Sequence, residues 1–292
     1  MGLAISVIVS GIAFGLLIGI LAFTLVFLYK TTGVANFAIG NIGMFEAFMV
    51  YELYESGLGI WPAALIGVVL SVVFGALVYL VVLRPFSGGG GQANVLVRTV
   101  GLYLLLAAMA DVFFGQNQPY RFPQLLPHGG PDAGSVVIGW SNLITVGVVL
   151  VICAAFAAMF RYTSLGLNFL AVAQRASVAR LLGVRVQRLS IIAYMIAGIL
   201  ALLVGVLVAP QQLLFSQMMD PMLLYAFAAA VIGGLTSLGG SLVGGIIIGV
   251  AVDVVSTYVG GDLALASALG LLLLTLAVRP NGLFGTAQVV RL

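Results

Sequence analysis

Charge is scarce in this 292-residue chain: Lys, Arg, Asp and Glu together make up 7% of it, where a soluble globular domain carries about 25%. A soluble fold is excluded. The single cysteine, Cys153, rules out an intramolecular disulfide, and a lone thiol in an apolar run is inert. The single histidine, His128, lies in a polar Pro/Gly stretch and is expected to be exposed; a His/Cys metal cluster cannot be assembled, so no metal site is expected. The only lysine, Lys30, follows Tyr29 with no glycine at the distance a P-loop requires. The chain therefore has no ATP cradle of that kind. Ser237 is followed by no histidine, which removes a Ser/His dyad and with it an intramembrane serine protease of that type.

What remains is apolar. Hydrophobic residues make up 63% of the chain and the mean hydropathy is +1.26. At about 20 apolar residues per crossing, that composition is enough for about eight to ten crossings. Apolar runs separated by charge or by Pro/Gly clusters predict spans over 3–28, 37–54, 60–83, 95–115, 141–160, 190–209, 222–234, 241–259 and 263–278. No alternation of polar lumen residues supports a β-barrel, so the fold class is an all-α polytopic membrane protein with about eight or nine transmembrane helices. The 222–234 run is too short to span unaided and abuts the Gly233-Gly234 and Gly239-Gly240 pairs, which predicts a helix that stops or re-enters within the membrane. No basic residue precedes Lys30, so the N-terminal run reads as a retained span and not as a signal peptide.

The few charges set the orientation. Lys30, Arg84, Arg98, Arg161, Arg175, Arg180, Arg185, Arg188, Arg279 and Arg291 fall on one side of these spans, which the positive-inside rule makes the cytoplasm. Arg121 with Glu52, Glu55, Asp132, Asp220 and Asp262 falls on the other. The N-terminus is then outside and the C-terminus inside, unless 222–234 fails to cross, in which case one terminus moves. Gln211-Gln212 and Asp220-Pro221 read as an external loop, either solvated or receiving a partner.

The longest cytoplasmic loop, 161–189, holds Val172, Ala176, Ala179 and Leu182 at helical spacing with Gln174, Arg175 and Arg180 turned elsewhere, and Gly183 where a helix ends. A short amphipathic helix needs a bilayer surface or a partner to cover it. Its small residues, Ala171, Ala173, Ala176 and Ala179, favour docking into a protein groove over lipid insertion.

This stretch, ending in Leu181-Leu182-Gly183-Val184, resembles the cytoplasmic coupling loop of the branched-chain amino acid (LivH-like) family of ATP-binding-cassette (ABC) importer permeases. Asn36-Phe37-Ala38-Ile39-Gly40 is similar to that family's segment after the first span, and Arg279-Pro280-Asn281-Gly282-Leu283-Phe284-Gly285 to its closing motif. Ile232-Gly233-Gly234-Leu235, Gly244-Gly245 and Leu83-Arg84-Pro85 fit in order. The resemblance implies one transmembrane permease domain over 1–292 with 161–189 as its coupling loop, in the cytoplasmic (inner) membrane. It implies a non-catalytic subunit with no cofactor of its own, ATP and Mg being bound by two partner ATPase subunits. It further implies a second related permease, as a heterodimer or a homodimer, and an external substrate-binding protein, with no nucleic-acid partner. The ATPases are expected on Gly166, Ala171, Ala173, Arg175, Ala176, Ala179, Arg180, Leu182 and Gly183. Ile39, Asn41 and Glu46 depart from the family pattern, so the cargo, a branched-chain or other amino acid or a urea-like amide, stays open.

Discontinuous helices offer free backbone groups to polar solutes, and two polar-glycine breaks are visible, at 31–41 and 233–245. Asn36, Phe37, Gly40, Asn41, Glu46, Gly233, Gly234 and Asp253 are the candidate pathway residues. The glycines serve equally for close helix packing. Asp111, near the outer end of its span, reads as solvated, whereas Glu46 and Asp253 lie deeper, where an acid is functional or paired. If either carries protons, the alternative is a proton-coupled secondary transporter.

Overall fold

The computed structural model describes residues 2–84, 92–115, 119–124, 132–133, 136–137 and 140–285. His128, Pro85 and Arg291 lie outside the described residues. The architecture is helical: α1 (Gly2–Thr32), α2 (Ile39–Glu55), α3 (Ile60–Leu77), α4 (Gln92–Phe113), α5 (Trp140–Tyr162), α6 (Ser164–Gln174), α7 (Ala176–Leu181), α8 (Val186–Gln212), α9 (Asp220–Gly233), α10 (Leu238–Tyr258) and α11 (Ala264–Val278). A two-residue antiparallel pair, Asp132–Ala133 with Val136–Val137, lies between α4 and α5. The end of α3 unwinds into a π-helical stretch, Val78–Leu83.

Each predicted span is occupied by a helix. Among the described residues, seven helices are long and apolar enough to cross a membrane. The 17-residue α2 sits at the lower limit of about 17 residues. The 14-residue α9 is about 21 Å long at 1.5 Å per residue, short of a hydrocarbon core about 30 Å thick. Apolar on every face, α1 is largely buried, as a helix of that kind must be unless lipid surrounds it. By contrast α5 and α11 leave large apolar side chains such as Val151, Leu273 and Leu274 exposed, as suits helices solvated by lipid.

The chain forms two compact units, one of residues 1–26, 126–149 and 221–292, the other of residues 27–125 and 150–220. Neither is an N- or C-terminal half. In the second unit α2, α3 and α8 pack as a three-helix core, and the contacts are set by glycine. A Cβ on Gly43 would overlap the Ala201 carbonyl, one on Gly205 the Gly43 carbonyl, and one on Gly75 the Tyr194 carbonyl. Phe45, Phe48, Phe74 and Phe114 fill the outer part of this core, with Phe48 and Phe114 stacked at 4.8 Å.

In the first unit, Gly11, Gly15 and Gly19 of α1 lie against α10, where Gly245 meets Gly19 and Gly249 meets Gly15 backbone to backbone. Spacing of four places these glycines on one stripe of each helix, the small-xxx-small arrangement that replaces hydrophobic driving force inside lipid. Across from them Gly244 packs on the Ala229 carbonyl of α9.

These contacts predict that Gly43→Ala lowers stability by about 1–3 kcal/mol, since backbone has to move. Gly101→Ala, with open space around its Cβ, should be neutral or slightly stabilising through helix propensity. Thermal unfolding of the two detergent-solubilised variants checks the contrast.

Candidate functional site

The break between α1 and α2 is built from polar side chains that close on the backbone. Thr31 and Thr32 turn their hydroxyls back to the Leu28 carbonyl, at 2.9 and 2.7 Å, and Gly33, at φ +80°, ends the helix. Asn36 Oδ1 accepts from the Ala38 amide at 2.9 Å and so turns the chain into α2. Its Nδ2 is buried beside the Tyr194 hydroxyl. Phe37 is half-buried and Gly40 buried.

Along α2, Asn41 Nδ2 donates to the Tyr103 carbonyl of α4 at 2.9 Å, while Oδ1 is unpartnered. Glu46 is 2% exposed, and neither carboxyl oxygen has a hydrogen-bond partner. A Cβ on Gly198 of α8 would stand 3.3 Å from Glu46 Oε1 and 2.7 Å from the Ser71 carbonyl of α3. Five residues separate Asn41 from Glu46, about 140° around a helix, so the two face different neighbours and do not form one cluster.

The second break is filled by backbone. Gly234 at φ +98° ends α9, and Ser237 caps α10 by accepting from the Gly240 amide at 3.0 Å. The closing segment of the chain lies on the same spot: Leu283 N donates to the Ile232 carbonyl at 2.7 Å and Phe284 N to the Gly233 carbonyl at 3.2 Å. Two of the carbonyls that a helix end leaves open are thereby satisfied. Gly282, Gly285 and Gly234 permit the approach. The glycines at Gly233 and Gly234 thus serve close packing, one of the two roles open to them from sequence. Asp253 lies about 20 Å along α10 from Gly240 and accepts a hydrogen bond from Ser10 Oγ of α1.

The 161–189 loop differs from the single helix its periodicity suggests. Thr163 caps α6 by accepting from the Gly166 amide at 3.1 Å, and Gly166 packs on the Met159 carbonyl, closing the turn from α5. Arg175 then takes an extended backbone, at φ −154° and ψ 103°, which splits the segment into α6 and α7 and resets the phase. Val172 and Ala179 are buried and Ala171, Ala173 and Ala176 half-buried, but Leu182 is exposed, beyond the end of α7. Gly183, at φ +84°, ends α7, with Val184 N donating to the Ala179 carbonyl at 3.0 Å. Arg175, Arg180, Leu181 and Leu182 project from this frame, Leu181 at 87% exposure.

On the opposite helix ends, Gln211-Gln212 and Asp220-Pro221 are not loop: the first pair closes α8 and the second opens α9. Between them Leu213 has φ +68°, and Leu214 and Tyr120 exchange two backbone hydrogen bonds of 2.9 Å.

The profile of the family described as "Branched-chain amino acid transport system / permease component" matches residues 7–278. The chain belongs to that permease family. It is 26% identical to the high-affinity branched-chain amino acid transport system permease protein BraD of Pseudomonas aeruginosa, over 96% of this chain and 95% of that one. To the corresponding LivH protein of Escherichia coli K12 it is 25% identical, with the same coverage. The solved structure of "PsaBC from Streptococcus pneumoniae in complex with Fab" superposes with a TM-score of 0.52 at 14% identity, covering 93% of this chain and 91% of that one, which shows a shared fold. A permease of this family with seven long apolar helices is a multi-pass membrane protein.

Two features of this permease escaped the sequence reading. Ser10 is the partner of Asp253, and the signal was available: Ser10 adjoins the Gly11 stripe and Asp253 follows Gly249 by one turn, so docking the stripes brings the two together. The clasp of residues 279–285 on α9 was visible only as a motif. Gly282→Val would strain a φ of +78° and bring Cβ to 2.5 Å from the Val231 carbonyl. It is expected to lower the melting temperature by several degrees and to expose the segment to protease, whereas Gly270→Ala, in open space, does neither.

Proposed function

We propose that this chain is the membrane-spanning subunit of an ABC importer in the cytoplasmic membrane, moving a small polar solute inward at the expense of ATP hydrolysed by two separate ATPase subunits. The observation that carries this reading is the α6–α7 loop. It is capped at Thr163, closed at Gly166 and ended at Gly183, yet presents Arg175, Arg180, Leu181 and Leu182 outward. A frame held this firmly with apolar and cationic side chains projecting from it suits docking into a groove on a motor protein. Closure of the ATPase pair then moves the loop and alternates access through the helices attached to it. A second related permease and an external binding protein complete the assembly.

The topology that supports import runs N-terminus outside to C-terminus inside. Pairing of Leu283 and Phe284 with the end of α9 puts that end beside the end of α11, where Arg279 stands. In this reading α9, with its glycine turn, makes a shortened crossing, and nine segments leave the termini on opposite sides. The solute route runs by Asn36, Phe37, Gly40, Asn41 and Glu46, where buried polar atoms stand without partners. The names of the BraD and LivH relatives favour a branched-chain amino acid as cargo.

Charge reversal at Arg175 and Arg180 together with Ala173→Trp tests the docking. ATPase co-purification and substrate-stimulated ATP hydrolysis are expected to fall at least tenfold while the melting temperature holds. Unchanged values for both would overturn the assignment.

A further inference from the structure

Three elements meet at one buried side chain, that of Tyr194. It lies on α8 eight residues after Val186, about 12 Å along the helix. Its ring packs on that of Tyr79 at 5.5 Å, in the π-helical stretch that follows α3. Such stretches are rare and recur at functional sites. The Tyr194 carbonyl lies against Gly75, one turn earlier on α3, where any Cβ would overlap it. Its hydroxyl stands beside Asn36 Nδ2, in the break between α1 and α2. Asn36 and Tyr194 are both buried, and a buried tyrosine hydroxyl calls for a polar neighbour of this kind.

The Asn36 amide thus has two tasks. Its Oδ1 holds the Ala38 amide and sets the start of α2, while its Nδ2 meets α8. That helix is also the one on which the 161–189 loop rests. Both α6 and α7 pack on it, and residues 182–185 alone separate α7 from Val186. The connection is short and tied back on itself, with Val184 N donating to the Ala179 carbonyl at 3.0 Å. A displacement of the loop is therefore passed to the first turns of α8, and Tyr194 moves with them. Gly198, one turn beyond Tyr194, lies against Glu46. The pair accordingly stands at the loop-side end of the proposed solute route. A hydrogen bond between two neutral groups is weak enough to be made and broken in every cycle.

We propose that Asn36 and Tyr194 form the inner latch of the solute route, with Tyr194 as a positioning residue that couples α8 to the α1–α2 break. It rests on the importer reading and names the contact through which the motor acts on the route. While the pair is closed, α8 holds the break and shuts the route at this end. As a docked ATPase draws the α6–α7 loop, α8 carries Tyr194 away and the Asn36 amide is released to the passing solute.

The complete complex in proteoliposomes tests the latch, with leucine uptake and ATP hydrolysis measured on the same sample. Tyr194→Phe, which removes only the hydroxyl, is expected to retain the ATPases and the wild-type melting temperature while raising the ATP hydrolysed per leucine taken up at least fivefold. Asn36→Ser, whose hydroxyl can still accept from the Ala38 amide, should do the same, and the double variant should add nothing further. Ser190→Ala is the control: this buried hydroxyl, one turn before Tyr194, is spent on the Val186 carbonyl at 3.1 Å, and its loss should leave the ratio unchanged. A wild-type ratio in Tyr194→Phe would overturn the proposal, as would a fall in melting temperature and ATPase retention that accounts for the lost uptake. Leucine uptake by the wild-type complex reads the importer separately, so the latch can fail while the importer stands.

Discussion

Backbone-to-backbone contact at glycine is the constraint on which the rest of this structure depends. Inside lipid, apolar side chains gain nothing by leaving hydrocarbon for one another, so helices associate through close van der Waals approach. Here that approach is made at Gly43, Gly75 and Gly205 in one unit, and at Gly15, Gly19, Gly244, Gly245 and Gly249 in the other. The same device finishes the interrupted helices: Gly282 and Gly285 let the end of the chain reach α9 closely enough for Leu283 and Phe284 to bond its terminal carbonyls. A chain with 38 glycines is not thereby flexible, because most of those in contact have backbone where a side chain would be.

Against that frame the buried polar groups separate into two kinds. Asp253 is half-buried and takes a hydroxyl from Ser10 beside a glycine stripe, within one helix pair. Glu46 has no such donor, although the Gly198 backbone of α8 lies against it, and Asn41 spends its Nδ2 on the backbone and keeps its Oδ1 unpartnered. An acid deep in lipid is costly unless neutral, paired or facing a cavity. Asn41 Oδ1 and both Glu46 carboxyl oxygens lie unsatisfied along α2, on the stretch proposed above as the solute route.

The spans were legible because apolar length is nearly sufficient to define a helix in a membrane. All nine appear, including the shortened α9, which its flanking glycines announced. Other features were not legible, since they depend on tertiary contact. The break at Arg175 follows no breaker residue, and a periodicity running through it suggested one continuous helix where there are two. The π-helical end of α3 carries no sequence mark. The Gln211-Gln212 and Asp220-Pro221 pairs looked like loop by polarity, yet each belongs to a helix end. Asp111 is exposed at the end of α4, as its position near the end of its span suggested.

Scarce charge ties these parts together. Arg175 and Arg180 are exposed on the loop proposed for motor docking, and Asp111 is exposed at the opposite helix ends. Proteoliposomes test this most directly, by comparing leucine uptake by the complete complex with uptake by this chain alone under an imposed proton gradient. The account predicts uptake only with the ATPases present and hydrolysing ATP; proton-driven uptake by the chain alone would contradict it.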